Sequence, residues 1–246
     1  MPKVICEQFR EAIGIGKATT LAYARNGTRR LVLADLNESG VQKTALQAKQ
    51  EATHDEFAVI ALHADVRRYA SVENVFETAV KKFGRIDYSV TTAGIFKTQG
   101  LLADNALDFY DDVQETNDKG ILHHTKAAIR VMLEQEALVI QDVDRVHVIG
   151  RGAIVNVCSI AGLVAVPGNI EYVATKFAAV ALPKQLRLVA TAPESRTALS
   201  QGASLKRLGD VEEVADAILF LTSNVGNFVH GSTMTVDGGY ANNGPM

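Results

Sequence analysis

The chain has 246 residues, a net charge of −3 and two cysteines. That length fits one large domain or two small ones and is enough to bury a sizeable core. The mixed charge gives no electrostatic case for nucleic acid or a membrane surface, and two cysteines make no disulfide framework.

Neither a charged-then-apolar leader nor an apolar run long enough to span a bilayer is evident, so a soluble, cytoplasmic protein is expected. Cys6 and Cys158 sit in apolar strand-like runs and read as buried reduced thiols. Gly14-Ile-Gly16 opens a helix whose packing face is Leu21, Ala22 and Ala24. Leu31-Val-Leu-Ala is a strand ending at Asp35, and Glu38 to Gln50 a polar-faced helix. Phe57 to Leu62 is the next strand, followed by Asp65-Val66. Ser71 to Phe83 is a helix with Val72, Val75, Phe76, Ala79 and Val80 as its apolar stripe. Ile86 to Val90 is a strand leading into Thr91-Thr-Ala-Gly94, and a long helical region runs from about Val113 to Leu133. The charge-rich segment Glu134 to Arg151 is expected to be a solvated surface loop. Ala153 to Val157 is a strand, Glu171 to Leu182 a helix, Leu186 to Ala190 a strand, Val211 to Leu221 a helix and Thr233 to Val236 a last strand.

Strands and helices in alternation, with short connections, imply an α/β fold: a doubly wound parallel sheet with helices on both faces. No Pro/Ser-rich linker, composition break or internal repeat divides the chain, so residues 1–246 read as a single domain.

The chemistry-bearing feature is Tyr172-Val-Ala-Thr-Lys176 with Ser159 upstream. Residues at i and i+4 share a helix face, so a Lys ammonium can sit beside a Tyr phenol. A phenol is a poor proton donor or acceptor near neutrality, and an adjacent cation makes it a usable general acid/base. Ser159 ends an apolar strand, where open α/β sheets bind ligands. Tyr and Lys at this spacing also arise by chance, so the pair gains meaning only with the other motifs.

Gly14-Ile-Gly16 places free backbone N–H groups and a helix dipole where a pyrophosphate could bind. It is not a Walker A loop, because Ala18 stands where a Mg²⁺-binding Ser or Thr is needed. Asp35 could accept hydrogen bonds from ribose hydroxyls and repel a 2′-phosphate, or serve only as a turn residue. His123 and His124 diverge by roughly 100° on a helix and do not chelate one ion, so no metal site is expected.

The ordered series Gly14-Ile-Gly16, Asp35, Asp65-Val66, Thr91-Thr-Ala-Gly94, Asn117, Ser159, Tyr172/Lys176, Arg207-Leu-Gly209 and Val236-Asp-Gly-Gly239 resembles the short-chain dehydrogenase/reductase family over nearly the whole chain. The resemblance implies a Rossmann-type fold and NAD(P)-dependent interconversion of a secondary alcohol and a ketone. It implies that Tyr172 transfers the proton, Ser159 holds the substrate oxygen, and Lys176 binds the nicotinamide ribose and assists Tyr172. Asn117 would hold a helix carbonyl and a water linking Lys176 to solvent. Cofactor contacts fall to Gly14, Ile15, Gly16, Asp35, Asp65, Val66, Thr92, Ala93, Gly94, Tyr172 and Lys176, with Asp65 on the adenine. Asp35 favours NAD over NADP, and Leu36-Asn37 offers no cation for a phosphate.

Departures from the family pattern are Phe9 and Arg10 in place of a Thr-Gly turn, Thr92 in place of Asn, and Pro183 soon after the Tyr172 helix. Glu194 follows Pro193 where a Gly is usual, and the stretch Ser195 to Ser204 is short where relatives carry a substrate lid. A looser cofactor site and an open reacting centre are therefore expected. Family members form homodimers or homotetramers, and the shortened helix implies a weakened tetramer, a dimer at working concentration. The rival readings are a catalytically silent member serving as a binding or scaffold subunit, and a member using the pocket for non-redox chemistry.

Overall fold

Leu31, Val32, Leu33 and Ala34 are all buried, as a central strand of a sheet covered on both faces requires. They form β2 (Arg30–Asp35). The computed structural model describes residues 3–7, 14–96, 107–141, 146–164, 169–181, 186–187, 203–223, 225–226, 229 and 232–243. Within these, β1 (Lys3–Glu7) is followed by α1 (Ile15–Arg25), β2, α2 (Glu38–Glu51), β3 (Ala58–His63), α3 (Tyr69–Phe83) and β4 (Tyr88–Thr91). Next come α4 (Leu107–Gln114), a π-helical turn (Glu115–Lys119) and α5 (Gly120–Glu134). Strands β5 (Leu138–Gln141), β6 (Val146–Gly150) and β7 (Ala153–Cys158) lead to a 3₁₀ turn (Ile160–Gly162) and α6 (Ile170–Ala181). The remaining elements are β8 (Leu186–Arg187), α7 (Val211–Leu221), β9 (Met234–Thr235) and α8 (Tyr240–Asn243).

Among the described residues, one sheet has the order β3-β2-β1-β4-β7-β8-β9, with every neighbouring pair parallel. The order reverses between β1 and β4, whose ends align with Glu7 opposite Thr91. A switch point of this kind opens a crevice beyond the carboxyl ends of the strands. Asp35 is the last residue of β2, and Thr92 and Ser159 directly follow β4 and β7 on that side.

The alternation of side chains along β2 divides the core in two. Leu31 and Leu33 pack with Tyr23, Val41, Val214 and Ile218 on one face. Val32 and Ala34 pack with Val72, Phe76, Ala128 and Met132 on the other. The stripe of α3 is read correctly from the sequence in Val72, Val75, Phe76 and Ala79, all buried, whereas Val80 is only partly so. Gly84 ends the helix in the left-handed region, φ 84, with its N–H on the Val80 carbonyl. Gly120 is required where α5 meets the end of β3: a Cβ there would lie 2.8 Å from Val66 Cγ2.

Two expectations change. The helical region starting near Val113 begins at Leu107 and passes through the π-helical turn rather than running unbroken. The segment from Glu134 to Arg151 is not a plain loop, because β5 and β6 pair antiparallel, with Val139 opposite Val148 and Ile140 opposite His147. The β-branched runs Val139-Ile140 and Val146-His-Val-Ile149 outweigh the charges between them. Gln135 ties the base of this hairpin to the main sheet, bonding the backbone N and O of Ile86 and the carbonyl of Arg151. Of the sixth expected strand, Leu186-Arg187 is in the sheet; its continuation to Ala190, and Pro183, lie outside the described residues.

A polar pair is enclosed between the sheet and α5. His124 is fully buried, with Ser89 Oγ 2.7 Å from its Nε2 and the ring of Phe76 packed edge-on. Burial pushes this imidazole down to about 3, partly offset by the Asn156 amide. The unfolded chain takes up a proton near pH ~6.5 that the native state refuses, so stability is lost as pH falls below that value. His124→Gln removes this term. Relative to wild type, it should gain about 2 kcal/mol of stability on going from pH 7 to pH 5 in urea titrations. An equal pH response in both proteins would contradict the assignment.

Candidate active site

The first strand-to-helix connection brings α1 to the crevice. Gly14 has φ 98 and, among the described residues, nothing within 4 Å of where a Cβ would stand, so on that side the backbone is open to a close approach. Gly16 is buried in the first turn, which carries no acidic residue. A helix N-terminus of this kind favours anions. Phe9, Arg10 and Glu11 lie outside the described residues.

Asp35 is fully buried at the end of β2. Its Oδ1 accepts from the Asn37 N–H at 2.7 Å, while Oδ2 has no partner among the described residues. Burial pushes its carboxyl up to about 6, held back in part by the Asn37 amide and by His63. An acceptor oxygen left buried and unmatched fits a ligand that brings hydroxyl donors, as an adenosine ribose does. The neighbouring Asn37 caps α2 through Gly40 N–H and offers no positive charge.

Asp65 stands differently from Asp35. Arg67 grips its carboxylate with two nitrogens, at 2.9 and 2.8 Å, and its own N–H also bonds Oδ1. Arg67 holds the Asp65 carboxyl below the usual range and also reaches Asp112 at 3.5 Å. The Val66 carbonyl receives Nδ1–H of His123 at 2.8 Å, which anchors α5 beside Asp65.

The strand-end segment after β4 meets the catalytic candidates. Thr91 Oγ1 accepts from the Ala93 N–H at 3.3 Å, and Thr92 and Ala93 lie just beyond the end of β4. Asn117, fully buried in the π-helical turn, accepts from the Ile95 N–H at 2.7 Å and donates to the Ile95 carbonyl at 2.9 Å. The same amide donates to Thr175 Oγ1 at 3.3 Å, and that hydroxyl donates to the Tyr172 carbonyl at 2.7 Å. Asn117 thus holds a strand-end backbone and a helix hydroxyl rather than a helix carbonyl.

Tyr172 lies in the first turn of α6, half-buried, and Lys176 one turn later, almost fully buried. The Lys176 ammonium is 5.4 Å from the Tyr172 ring centroid, and a Cβ on Gly94 would stand 3.2 Å from it. A side chain at position 94 would crowd that ammonium, which would have to shift by a few tenths of an ångström. Ser159 is buried and opens the 3₁₀ turn, its Oγ accepting from the Ala161 N–H at 3.2 Å. Gly162 lets this turn touch α6, since a Cβ there would sit 2.2 Å from the Lys176 carbonyl oxygen.

Asn117, Tyr172 and Lys176 are therefore joined through Thr175 and Gly94, and Ser159 reaches the same helix through Gly162. The sequence reading missed Ile95, Phe96 and Thr175. Thr175 could have been found inside the Tyr172–Lys176 motif, at i+3 from the tyrosine and on the same face. Among the described residues no cluster of three potential metal ligands occurs.

The buried Asp35 has a measurable cost. A carboxyl raised from its unfolded value destabilises the fold as pH rises from about 4 to about 6, and by a constant amount above that. Asp35→Asn keeps the shape without the charge. It should be more stable than wild type by about 1–3 kcal/mol at pH 7.5 and equal to it near pH 4. An Asp35→Asn protein less stable than wild type at pH 7.5 would mean that the carboxylate has partners unlike those described.

A family profile described as short chain dehydrogenase matches residues 11–192, and one described as Enoyl-(Acyl carrier protein) reductase matches residues 184–241. The chain is 32% identical to "Short-chain dehydrogenase srdC" of Neurospora crassa, covering 93% of each protein. It is 31% identical to "Cyclopentanol dehydrogenase" of Comamonas sp., covering 94% of each. The fold matches the crystal structure of a short-chain type dehydrogenase/reductase from Mycobacterium marinum with a TM-score of 0.81 at 23% identity, over 97% of this chain and 94% of that one. No helix among the described residues is long and apolar enough to cross a membrane. The chain belongs to the short-chain dehydrogenase/reductase family, whose activity is NAD(P)-dependent oxidoreduction.

Proposed function

We propose that this protein interconverts a secondary alcohol and a ketone with NAD, using Tyr172 as general acid/base and residues 1–246 as one domain. The observation that carries the reading is the Lys176 ammonium, held over Gly94 and 5.4 Å from the Tyr172 ring centroid. A cation almost fully buried beside a phenol is costly unless it serves a bound group. When bound, the nicotinamide supplies or accepts a hydride.

Everything else is done by the chain's own side chains. Tyr172 gives its phenolic proton to the carbonyl oxygen during reduction and takes it back during oxidation. The positive field of Lys176 offsets charge developing on the phenolic oxygen, and its remaining N–H donors suit ribose hydroxyls. Ser159 accepts from the Ala161 amide, which leaves its own hydrogen to donate to the substrate oxygen. Asn117 fixes the strand end under Lys176 through Ile95.

The residues present fit a dinucleotide. Gly14 opens the N-terminus of α1 for a pyrophosphate, and Asp35 Oδ2 has an unused acceptor for the adenosine ribose. NAD is favoured over NADP because a 2′-phosphate would meet the Asp35 carboxylate with no cation on Leu36 or Asn37 to offset it. The name of the Comamonas relative motivates cyclopentanol as a probe substrate.

Rates with NAD⁺ and a set of secondary alcohols that includes cyclopentanol test the reading. Tyr172→Phe should lower kcat by about 10²-fold or more, with NADH binding changed no more than twofold. Lys176→Ala should weaken both turnover and binding. A Tyr172→Phe protein with near-normal rates would remove the general-acid assignment and favour a binding or non-redox role.

A further inference from the structure

We propose that Phe96 is a positioning residue for Tyr172, and that Gly94, Ile95 and Phe96 together form a template that sets the catalytic residues in register. The proposal rests on the reading of Tyr172 as the proton-transfer group. Three consecutive residues each meet a different member of the site. Gly94 lies under the Lys176 ammonium, Ile95 is held at both its N–H and its carbonyl by Asn117, and the Phe96 ring meets the Tyr172 ring.

The ring contact has the geometry of a favourable aromatic pair. The Phe96 and Tyr172 centroids are 4.9 Å apart and the planes are at 89°, an edge-to-face arrangement. Phe96 is only half-buried. It belongs to none of the buried apolar clusters among the described residues, so its ring is not part of the general core. A large apolar side chain placed at a ligand crevice and packed on a functional tyrosine acts on that tyrosine.

The mechanism needs this contact. Tyr172 swings on two side-chain torsions, and its oxygen must come within about 2.6–3.2 Å of the substrate oxygen to transfer a proton. Small misplacements at a reacting centre cost rate steeply. Backbone fixed at Ile95 leaves Phe96 little freedom, so the position set by Asn117 is passed to the tyrosine ring. Losing an edge-to-face pair corresponds to roughly a 2- to 12-fold loss in the population of the correct ring position.

The test uses the full-length protein with its tyrosines replaced by 3-fluorotyrosine, the Tyr172 fluorine signal being assigned by its loss in Tyr172→Phe. Phe96→Leu keeps apolar bulk but removes the ring. It should split or broaden the Tyr172 signal while leaving NADH affinity within twofold of wild type. With cyclopentanol and NAD⁺ it should lower kcat by about 2- to 12-fold, and Phe96→Tyr should restore kcat to within twofold. A single sharp Tyr172 signal in Phe96→Leu would overturn the proposal, as would a kcat loss matched by an equal loss of NADH binding. If wild type turned over no alcohol while the Phe96→Leu signal still broadened, the positioning role would stand and the alcohol–ketone reading would fall.

Discussion

The site hangs on one amide. Beyond Thr91 the chain leaves the parallel ladder, and its backbone groups need other partners. Asn117 provides an acceptor to the N–H and a donor to the C=O of Ile95, as a neighbouring strand would. Both bonds are partly buried, where a group left without a partner is costly. The π-helical turn that carries Asn117 interrupts an otherwise regular helix, and such interruptions often accompany functional sites. Here the interruption sets a side chain against strand-end backbone, with Lys176, Thr175 and Phe96 arranged around the result.

Two buried ionisable groups show what this arrangement costs. His124 stays neutral inside the core, and Asp35 is a carboxyl held away from water with one oxygen unmatched. Their effects on stability run in opposite directions across mildly acidic pH, so the native state changes less there than either group alone implies. The difference between them is chemical. His124 Nε2 meets Ser89 across the sheet–helix contact inside the core, while its Nδ1 has no partner among the described residues. Asp35 ends β2, and its unmatched oxygen leaves an acceptor that a ligand with donors would suit. Asp65 makes the contrast sharper, because Arg67 already satisfies it.

The fold was legible because the apolar run of β2 and the α3 stripe are unambiguous; the caps at Asn37 and Gly84 agree with them in the structure. Ser159, Tyr172 and Lys176 were legible as types at a spacing. The approach of Lys176 to Gly94 was not, since the two lie some eighty residues apart in sequence. Phe96 was illegible for a related reason: an aromatic residue after a strand end reads as core until its partner ring is known. The β5–β6 hairpin was missed because acidic and basic residues between two short β-branched runs mask their pairing. The side-chain partners of Asn117 were not legible, because a helix residue gives no sign in sequence of facing a strand end.

The central claim is that this crevice holds a dinucleotide with its adenosine ribose on Asp35. Titration of the wild-type protein with NADH and with NADPH, followed by nicotinamide fluorescence, tests it most directly. The account predicts saturable enhancement with NADH and binding of NADPH weaker by about tenfold or more, as expected for a phosphate set against an uncompensated carboxylate. No enhancement with either nucleotide, or tighter binding of NADPH, would contradict it.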